Sequence, residues 1–128
     1  MADASYPDDL LYHAEHDWAR IEGDIATCGI TWHAQDALGE VVFFDPPAVG
    51  GTVSAGEPYT EVESVKAVSD VIAPLSGEIV ETNEALGDTP EAINDDPYGE
   101  GWMVKVRLSD PSETGDLLDA AAYQATLG

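Results

Sequence analysis

Short apolar segments separated by turn residues run through most of the chain. Ile25–Ile30 and Val41–Phe44 are apolar and brief enough to be buried strands. The residues between them predict a short helix, because Thr31 is a favourable N-cap and Gly39 a favourable stop. This part of the chain therefore predicts a strand, a short helix and a second strand.

The middle of the chain continues with short segments of strand character. Glycine and proline separate predicted strands at residues 52–54, 59–64 and 78–82, and residues 74–77 (PLSG) predict a turn. Thr89 followed by proline predicts the start of a single helical turn. Residues 94–101 (NDDPYGEG) have the composition of a loop.

The last third of the chain predicts one alternating strand and a terminal helix. Residues 102–108 alternate, and residues 116–127 have helical spacing. One face of the predicted strand carries Trp102, Val104, Val106 and Leu108, and the other carries Met103, Lys105 and Arg107. The apolar stripe of the predicted helix comprises Leu118, Ala121, Ala122 and Ala125.

Many short strands with turns between them, and small helices, predict an all-β sandwich or barrel with a C-terminal helix. The length of 128 residues suits one compact domain, which we expect to span residues 10–128 after an N-terminal tail at residues 1–9. Hydrophobic residues make up 44% of the chain, so a substantial core is expected.

Charge and cysteine content exclude several functions. The 26 acidic residues against four Lys and Arg give a formal charge of −22, which disfavours nucleic acid and anionic membranes and suggests basic partners or a salt-rich solvent. A single cysteine, Cys28, rules out an intramolecular disulfide and a four-thiolate zinc site. Residues 1–9 lack the basic start and apolar centre of a secretory signal, so we expect a cytoplasmic protein.

The two lysines occupy different settings. Lys105 lies within the alternating strand, where a lysine ordinarily keeps one sheet face hydrated. Lys66 lies between two stretches of strand character, residues 59–65 and 67–72, which predicts a hairpin with Lys66 at or beside its tip. A lysine at a hairpin tip is highly accessible, and loops on rigid scaffolds often carry function.

Several motifs, in the same order along most of the chain, resemble the H proteins of the glycine cleavage system. ESVKAVSD and PLSGEIVETN resemble the family's lipoyl-attachment hairpin and the strand that follows it. The segments that resemble other parts of the family are HDW (16–18), GITWHAQDALGEVVFFD (29–45), NDDPYGEGW (94–102) and LLDAAAYQATL (117–127). Two departures are Asp17, where the family has Glu, and Pro46, where it usually has Leu.

The resemblance implies a lipoyl-type fold, a barrel-sandwich hybrid or flattened barrel with a C-terminal helix. It implies that Lys66 carries lipoate in amide linkage and that the protein is a monomeric carrier, not an enzyme. The expected partners are a pyridoxal-phosphate glycine decarboxylase, a folate-dependent aminomethyltransferase, a dihydrolipoyl dehydrogenase and lipoylating enzymes. Glu63 and Asp70 are expected to be recognised by the partner proteins. His16 and Asp17 are expected to contribute to docking of the lipoyl arm.

Other interpretations of the sequence remain. His13 and His16 have a spacing that could bind metal on a helix, but no further ligand completes a set, so no metal site is expected. Biotin carrier domains place Met on both sides of their lysine, whereas Val65 and Ala67 flank Lys66. Lipoyl domains of 2-oxoacid dehydrogenases are shorter and lack the two helical segments. An H-like protein that serves as a lipoyl donor without glycine cleavage would have the same sequence features.

Overall fold

A computed structural model describes residues 6–127 of the chain as nine strands with small helices. The strands are β1 (Leu11–His13), β2 (Asp17–Glu22), β3 (Ile25–Ile30), β4 (Val41–Phe44), β5 (Thr52–Val53), β6 (Pro58–Ser64), β7 (Val68–Ile72), β8 (Gly77–Thr82) and β9 (Val104–Leu108). The helices are α1 (Trp32–Leu38), α2 (Ala85–Asp88), α3 (Ala92–Asp95), a 3₁₀ helix (Pro111–Asp116) and α4 (Ala120–Thr126).

The strands form two antiparallel sheets. One has six strands in the order β1-β2-β3-β9-β8-β5, and the other has three in the order β4-β6-β7. The expectation of a mostly-β fold with small helices and a C-terminal helix is confirmed, and the strands form two sheets and not one closed barrel. Within residues 6–127, no helix is long and apolar enough to cross a membrane.

The buried side chains form three clusters that hold the two sheets and the terminal helix together. The first lies on the six-stranded sheet and includes Cys28, which is buried as a small apolar residue. The second joins Phe44 and Val62 of the three-stranded sheet to Ile30 of the larger one. The third packs Tyr123 of α4 against the N-terminal strands. The sheets are thus fastened through side-chain packing, because no strand pairs across them among the described residues.

Helix α1 confirms the prediction made from its two ends. The Thr31 hydroxyl accepts a hydrogen bond from the Ala34 N–H at 3.3 Å, as an N-cap does. Gly39 ends the helix with a φ of 80°, and its N–H donates to the Gln35 carbonyl at 3.0 Å. This left-handed conformation explains why the helix stops at glycine.

The N-terminal hairpin and the start of β9 differ from the sequence-based expectations. Strands β1 and β2 were not predicted, because the sequence before residue 25 has no clear alternation. β9 begins at Val104, two residues later than predicted, and Met103 is fully buried in the second cluster although alternation assigned it to the polar face. The strand period does not apply to Met103, because it precedes the strand.

The predictions of helices α3 and α4 also differ from the structure. Helix α3 begins at Ala92 after Glu91 as N-cap, so the predicted start at Thr89 was wrong. Helix α4 begins after Asp119, whose carboxylate accepts from the Ala122 N–H at 2.8 Å. The buried α4 residues are Ala120 and Tyr123, whereas Ala121, Ala122 and Ala125 of the predicted stripe are exposed. Tyr123 is the larger of the two buried residues of α4, and it was not predicted to be buried because its hydroxyl is polar.

Strand β4 is less buried than its apolar sequence predicted. Val41 and Phe44 are buried, but Val42 and Phe43 are exposed. The pairing with β6 shifts between Val41 and Phe43, which marks a bulge. A bulge re-aims side chains, so two consecutive apolar residues point to solvent.

Candidate functional site

Lys66 lies at the tip of the hairpin formed by β6 and β7. Its neighbours Val65 and Ala67 are exposed as well. The Ser64 hydroxyl oxygen accepts hydrogen bonds from the N–H groups of Lys66 at 3.3 Å and Ala67 at 3.1 Å, and the Ser64 N–H donates to the Ala67 carbonyl at 2.8 Å. The Val65 N–H donates to the Glu40 carbonyl at 3.0 Å. These bonds shape a tight turn without glycine or proline.

The Lys66 side chain is exposed and has no ion pair within 4.0 Å among the described residues. It extends over Gly39, where an added Cβ would lie 3.4 Å from Lys66 Cε and 3.9 Å from Nζ. Lys105 differs, because its Nζ lies 3.7 Å from a Glu81 carboxylate oxygen and 5.4 Å from the Trp102 ring centroid. Of the two lysines, Lys66 therefore presents the freer amine.

Asn94 fixes the segment beneath the hairpin tip. Its side-chain amide donates to the Gly39 carbonyl at 2.8 Å and to the Gln35 side-chain oxygen at 3.0 Å. Its side-chain oxygen accepts from the Val41 N–H at 2.8 Å. Asn94 thus ties α3 to the end of α1 and the start of β4. Sequence analysis placed it in a loop and missed this role, which depends on partners more than 50 residues away.

A cleft of about 380 Å³ lies beside the hairpin, between β7, α1 and the start of β2. Its polar lining comprises Glu15, His16, Asp17, His33, Ser69 and Asp70. Its apolar lining comprises Ile30, Ala34, Ala37, Leu38, Val62, Ala67 and Val68. The structure therefore brings His16, Asp17 and Asp70, three of the residues predicted from the sequence, to one cavity next to Lys66.

Asp17 is the most buried acid of the cleft. It is 2% exposed, and its Oδ2 has no hydrogen-bond partner in the part of the chain that the structure describes. Burial raises the pKa of its carboxyl well above the usual range, and Glu15 adds to the rise, while a hydrogen bond from the Ile72 backbone opposes it. A carboxyl in this setting either holds a proton or takes a cationic partner.

His16 connects the cleft to the C-terminal helix. It has a φ of 74°, which is uncommon for a residue other than glycine, and its Nδ1 lies 2.7 Å from the Tyr123 hydroxyl. That hydroxyl lies 2.9 Å from the buried Thr31 hydroxyl. Burial, with a smaller contribution from His33 at a ring separation of 4.5 Å, lowers the pKa of His16 and keeps it neutral at pH 7.

Neither of the two histidines considered for metal binding, His13 and His16, lies on a helix. His13 ends β1 and His16 follows in the turn before β2. No group of three or more His, Cys, Asp or Glu side chains within residues 6–127 has the arrangement of a metal site. His33 was not predicted as a site residue, and its place in the cleft depends on the position of α1.

Glu63 and Asp70 lie on neighbouring strands of the hairpin. Glu63 is opposite Phe43 on β4 and Val68 on β7, and Asp70 is opposite Glu61. Both are exposed, and Asp70 also borders the cleft. Glu63 and Asp70, the acids on either side of Lys66, therefore differ in position. Asp70 lies on the exposed face of the hairpin and also borders the cleft, whereas Glu63 lies on the exposed face alone.

Comparisons with known proteins agree with the arrangement of this site. The family model described as glycine cleavage H-protein matches residues 10–128. The glycine cleavage system H protein of Rubrobacter xylanophilus is 56% identical over 124 residues, covering 97% of this chain and 96% of that protein. The Escherichia coli O7:K1 protein of the same name is 54% identical over 125 residues, covering 97% of each.

A solved structure extends the likeness to three dimensions. The crystal structure of a glycine cleavage system H protein from Mycobacterium marinum superposes with a TM-score of 0.87 and 48% sequence identity. It covers 95% of this chain, and this chain covers 98% of it. Because the match in sequence and fold is nearly end to end, this chain belongs to the glycine cleavage H-protein family.

Proposed function

We propose that this protein is the lipoyl carrier of the glycine cleavage system and that lipoate is attached to Lys66 through an amide at Nζ. The observation that carries the proposal is an exposed, unpaired lysine at a rigid hairpin tip beside a cleft. An attachment enzyme can reach such an amine without disturbing the fold. Family membership supports the same assignment.

The residues around Lys66 fit a long, neutral arm that ends in a dithiolane. Amide formation removes the lysine charge, and no acid among the described residues loses an ion pair as a result, because none lies within 4.0 Å of Nζ in an ion pair. Ala34, Ala37 and Leu38 give the cleft an apolar wall that suits a hydrocarbon chain. When bound, the group supplies two sulfurs that accept the aminomethyl unit of glycine and a pair of electrons.

The protein's own contribution is to position and shield this cargo. The aminomethyl unit carries a cationic amine, and Asp17 and Asp70 are the cleft acids placed to receive it. Asp17 has an unpartnered oxygen, so a cation would satisfy a group that is otherwise costly to bury. His16, held neutral, adds no competing charge to the cleft wall.

The proposed partners follow from this role. The carrier receives the aminomethyl unit at a pyridoxal-phosphate decarboxylase, delivers it to a folate-dependent aminomethyltransferase and is reoxidised by a dihydrolipoyl dehydrogenase. Residues 10–128 form the carrier domain, which acts as a cytoplasmic monomer after the tail at residues 1–9. The enzymes perform the catalytic steps, and this chain contributes the arm and the cleft.

Replacement of the two lysines tests the attachment site. We expect Lys66→Arg to fold normally, to gain no lipoyl mass and to lose all glycine-dependent shuttling, while Lys105→Arg keeps both. Intact mass after treatment with a lipoate ligase measures attachment, and bicarbonate exchange into glycine with the decarboxylase measures shuttling. A lipoyl group on Lys105, or activity in Lys66→Arg, would contradict the proposal.

The cleft is tested by the lifetime of the carried aminomethyl unit. We expect the loaded protein to release this unit more slowly than loaded free lipoamide, because a unit held in the cleft meets less water than one free in solution. Asp17→Asn keeps the side-chain shape but removes the negative charge, so release should be faster in that variant. Equal release from the wild-type protein and from free lipoamide would show that the cleft does not shield the unit.

A further inference from the structure

Four exposed apolar side chains lie around the hairpin tip, and together we name them the tip patch. They are Val42, Phe43, Val65 and Val68, with exposures of 47%, 50%, 65% and 59%. The bulge in β4 turns both Val42 and Phe43 outward, so the patch depends on a specific backbone feature. Apolar groups gathered at one exposed place are typical of an interaction surface.

The pairing register shows that the patch is continuous with Lys66. Phe43 pairs with Glu63, and Glu63 pairs with Val68, so the three residues form one row across the sheet. Val65 precedes Lys66, and its N–H is hydrogen-bonded to the segment that leads into β4. A protein surface that reaches Lys66 Nζ therefore meets the patch.

Apart from Lys66 itself, the charged side chains around the patch are acidic. Glu40, Glu61, Glu63 and Asp70 are exposed beside it, and none of them has a cationic side chain within 4.0 Å among residues 6–127. The other three Lys and Arg residues of the chain lie on the six-stranded sheet. Arg20 donates to the Tyr98 carbonyl at 3.0 Å, and Lys105 and Arg107 lie near glutamates. A partner that covers the patch must supply basic groups at its rim.

We propose that the tip patch is the docking surface for the enzyme that acylates Lys66, and that this enzyme contacts it with an apolar centre and a basic rim. The inference rests on the proposed function. Acylation joins the acyl carbonyl carbon to Nζ, breaks the bond from that carbon to the phosphate of an acyl adenylate, and releases AMP and the displaced protons. The enzyme must therefore approach Nζ itself, whereas later partners act on sulfurs at the far end of the arm.

Phe43 is the side chain expected to contribute most. Aromatic residues contribute a large share of the binding energy at protein interfaces. Since 1.4 kcal/mol corresponds to a tenfold change, Phe43→Ser should lower kcat/KM for acylation about tenfold. Val49 is the matched control, because it is 59% exposed and lies outside the patch, in the segment between β4 and β5. Val49→Ser should stay within about twofold of the wild-type rate.

The experiment uses the full chain, a purified lipoate ligase, lipoate and ATP, with acylation followed by intact mass. Thermal unfolding of both serine variants confirms that they are folded, and Phe43 is half exposed, so its loss should be tolerated. The Phe43→Ser protein is then acylated to completion at high enzyme concentration and assayed for glycine-dependent shuttling. We expect this acylated variant to shuttle at the wild-type rate.

The outcomes separate this inference from the function on which it rests. Slow acylation of Phe43→Ser, with normal shuttling once acylated, supports docking of the acylating enzyme. Equal acylation of Phe43→Ser and wild type overturns the inference while the carrier function stands. Slow shuttling by the fully acylated variant also overturns it, because the patch then serves later partners. If the wild-type protein is not acylated, both the proposed function and this inference are contradicted.

Discussion

Gly39 offers the sharpest test of how the backbone supports the lysine. It ends α1 with φ 80° and ψ −157°, a combination that is essentially confined to glycine. The residue cannot rotate away easily, because its N–H donates to the Gln35 carbonyl at 3.0 Å and its carbonyl accepts from the Asn94 amide at 2.8 Å. Gly39→Ala therefore places a side chain in a conformation that L residues rarely adopt.

The expected loss of stability follows from this strain. A residue held in such a region costs about 1–3 kcal/mol. The new Cβ would lie 3.4 Å from Lys66 Cε, but that carbon is near the end of a flexible side chain and can move. With an unfolding entropy of about 2.1 cal/mol/K per residue over 128 residues, 1 kcal/mol corresponds to about 4 °C. Gly39→Ala should thus lower Tm by roughly 4–11 °C.

Urea unfolding at equilibrium, together with thermal unfolding, measures the effect. Gly115→Ala is the control, since a Cβ there meets nothing within 4 Å and its φ lies outside the left-handed region. That variant should stay within about 0.5 kcal/mol of wild type. If Gly39→Ala lost no more stability than Gly115→Ala, the backbone strain and the fixed position of this segment would both be refuted.

Three further predictions concern charge and hydrogen bonding. Burial raises the pKa of the Asp17 carboxyl in the folded protein. The stability that comes from its protonated form is therefore fully present below the unfolded pKa of 3.8, and it is lost as the pH rises toward the folded pKa. The free energy of unfolding of Asp17→Asn relative to wild type should therefore increase with pH above about 4, and a constant difference in urea titrations would contradict this. Tyr123→Phe removes the hydrogen-bond partner of His16 Nδ1 and one of the two partners of the buried Thr31 hydroxyl. The change should cost about 1–3 kcal/mol in the same assay, with unchanged stability as the refuting result. Because the charge of −22 repels itself and the screening length falls from about 30 Å at 0.01 M to about 3 Å at 1 M, Tm should rise over that range of potassium chloride, and a flat Tm would show that the acids do not repel appreciably.

Local signals in the sequence predicted the features that depend on neighbouring residues. Thr31 and Gly39 placed the ends of α1 because capping and the left-handed conformation are decided within one helical turn. Two stretches of strand character around Lys66 predicted a hairpin, and β6 and β7 form it. The prediction that Lys66 is the attachment site came from the motif around it, since an exposed lysine alone is common on protein surfaces.

Features that depend on distant contacts were predicted poorly. Met103 was assigned to a polar face and is buried, because β9 begins at Val104 and Met103 therefore precedes the strand. Tyr123 was not predicted to be a buried side chain of α4, because its hydroxyl is polar. That hydroxyl is hydrogen-bonded to the Thr31 hydroxyl, more than 90 residues away. The exposure of Phe43 comes from a bulge in pairing with β6, which the apolar run of β4 does not reveal.

The sequence by itself therefore determined the family, the mostly-β class and the hairpin, and it singled out Lys66 as the proposed attachment site, because each rests on local pattern or motif. Only the tertiary structure decided what surrounds that lysine. The arrangement of α1 beside the start of β2 and β7 forms the cleft, and Asp17 is buried there without a full set of partners. Asn94 fixed the segment below the tip, and the β4 bulge exposed an apolar patch beside it. Burial and hydrogen-bond satisfaction depend on contacts between segments far apart in the chain, so periodicity along the sequence does not determine them.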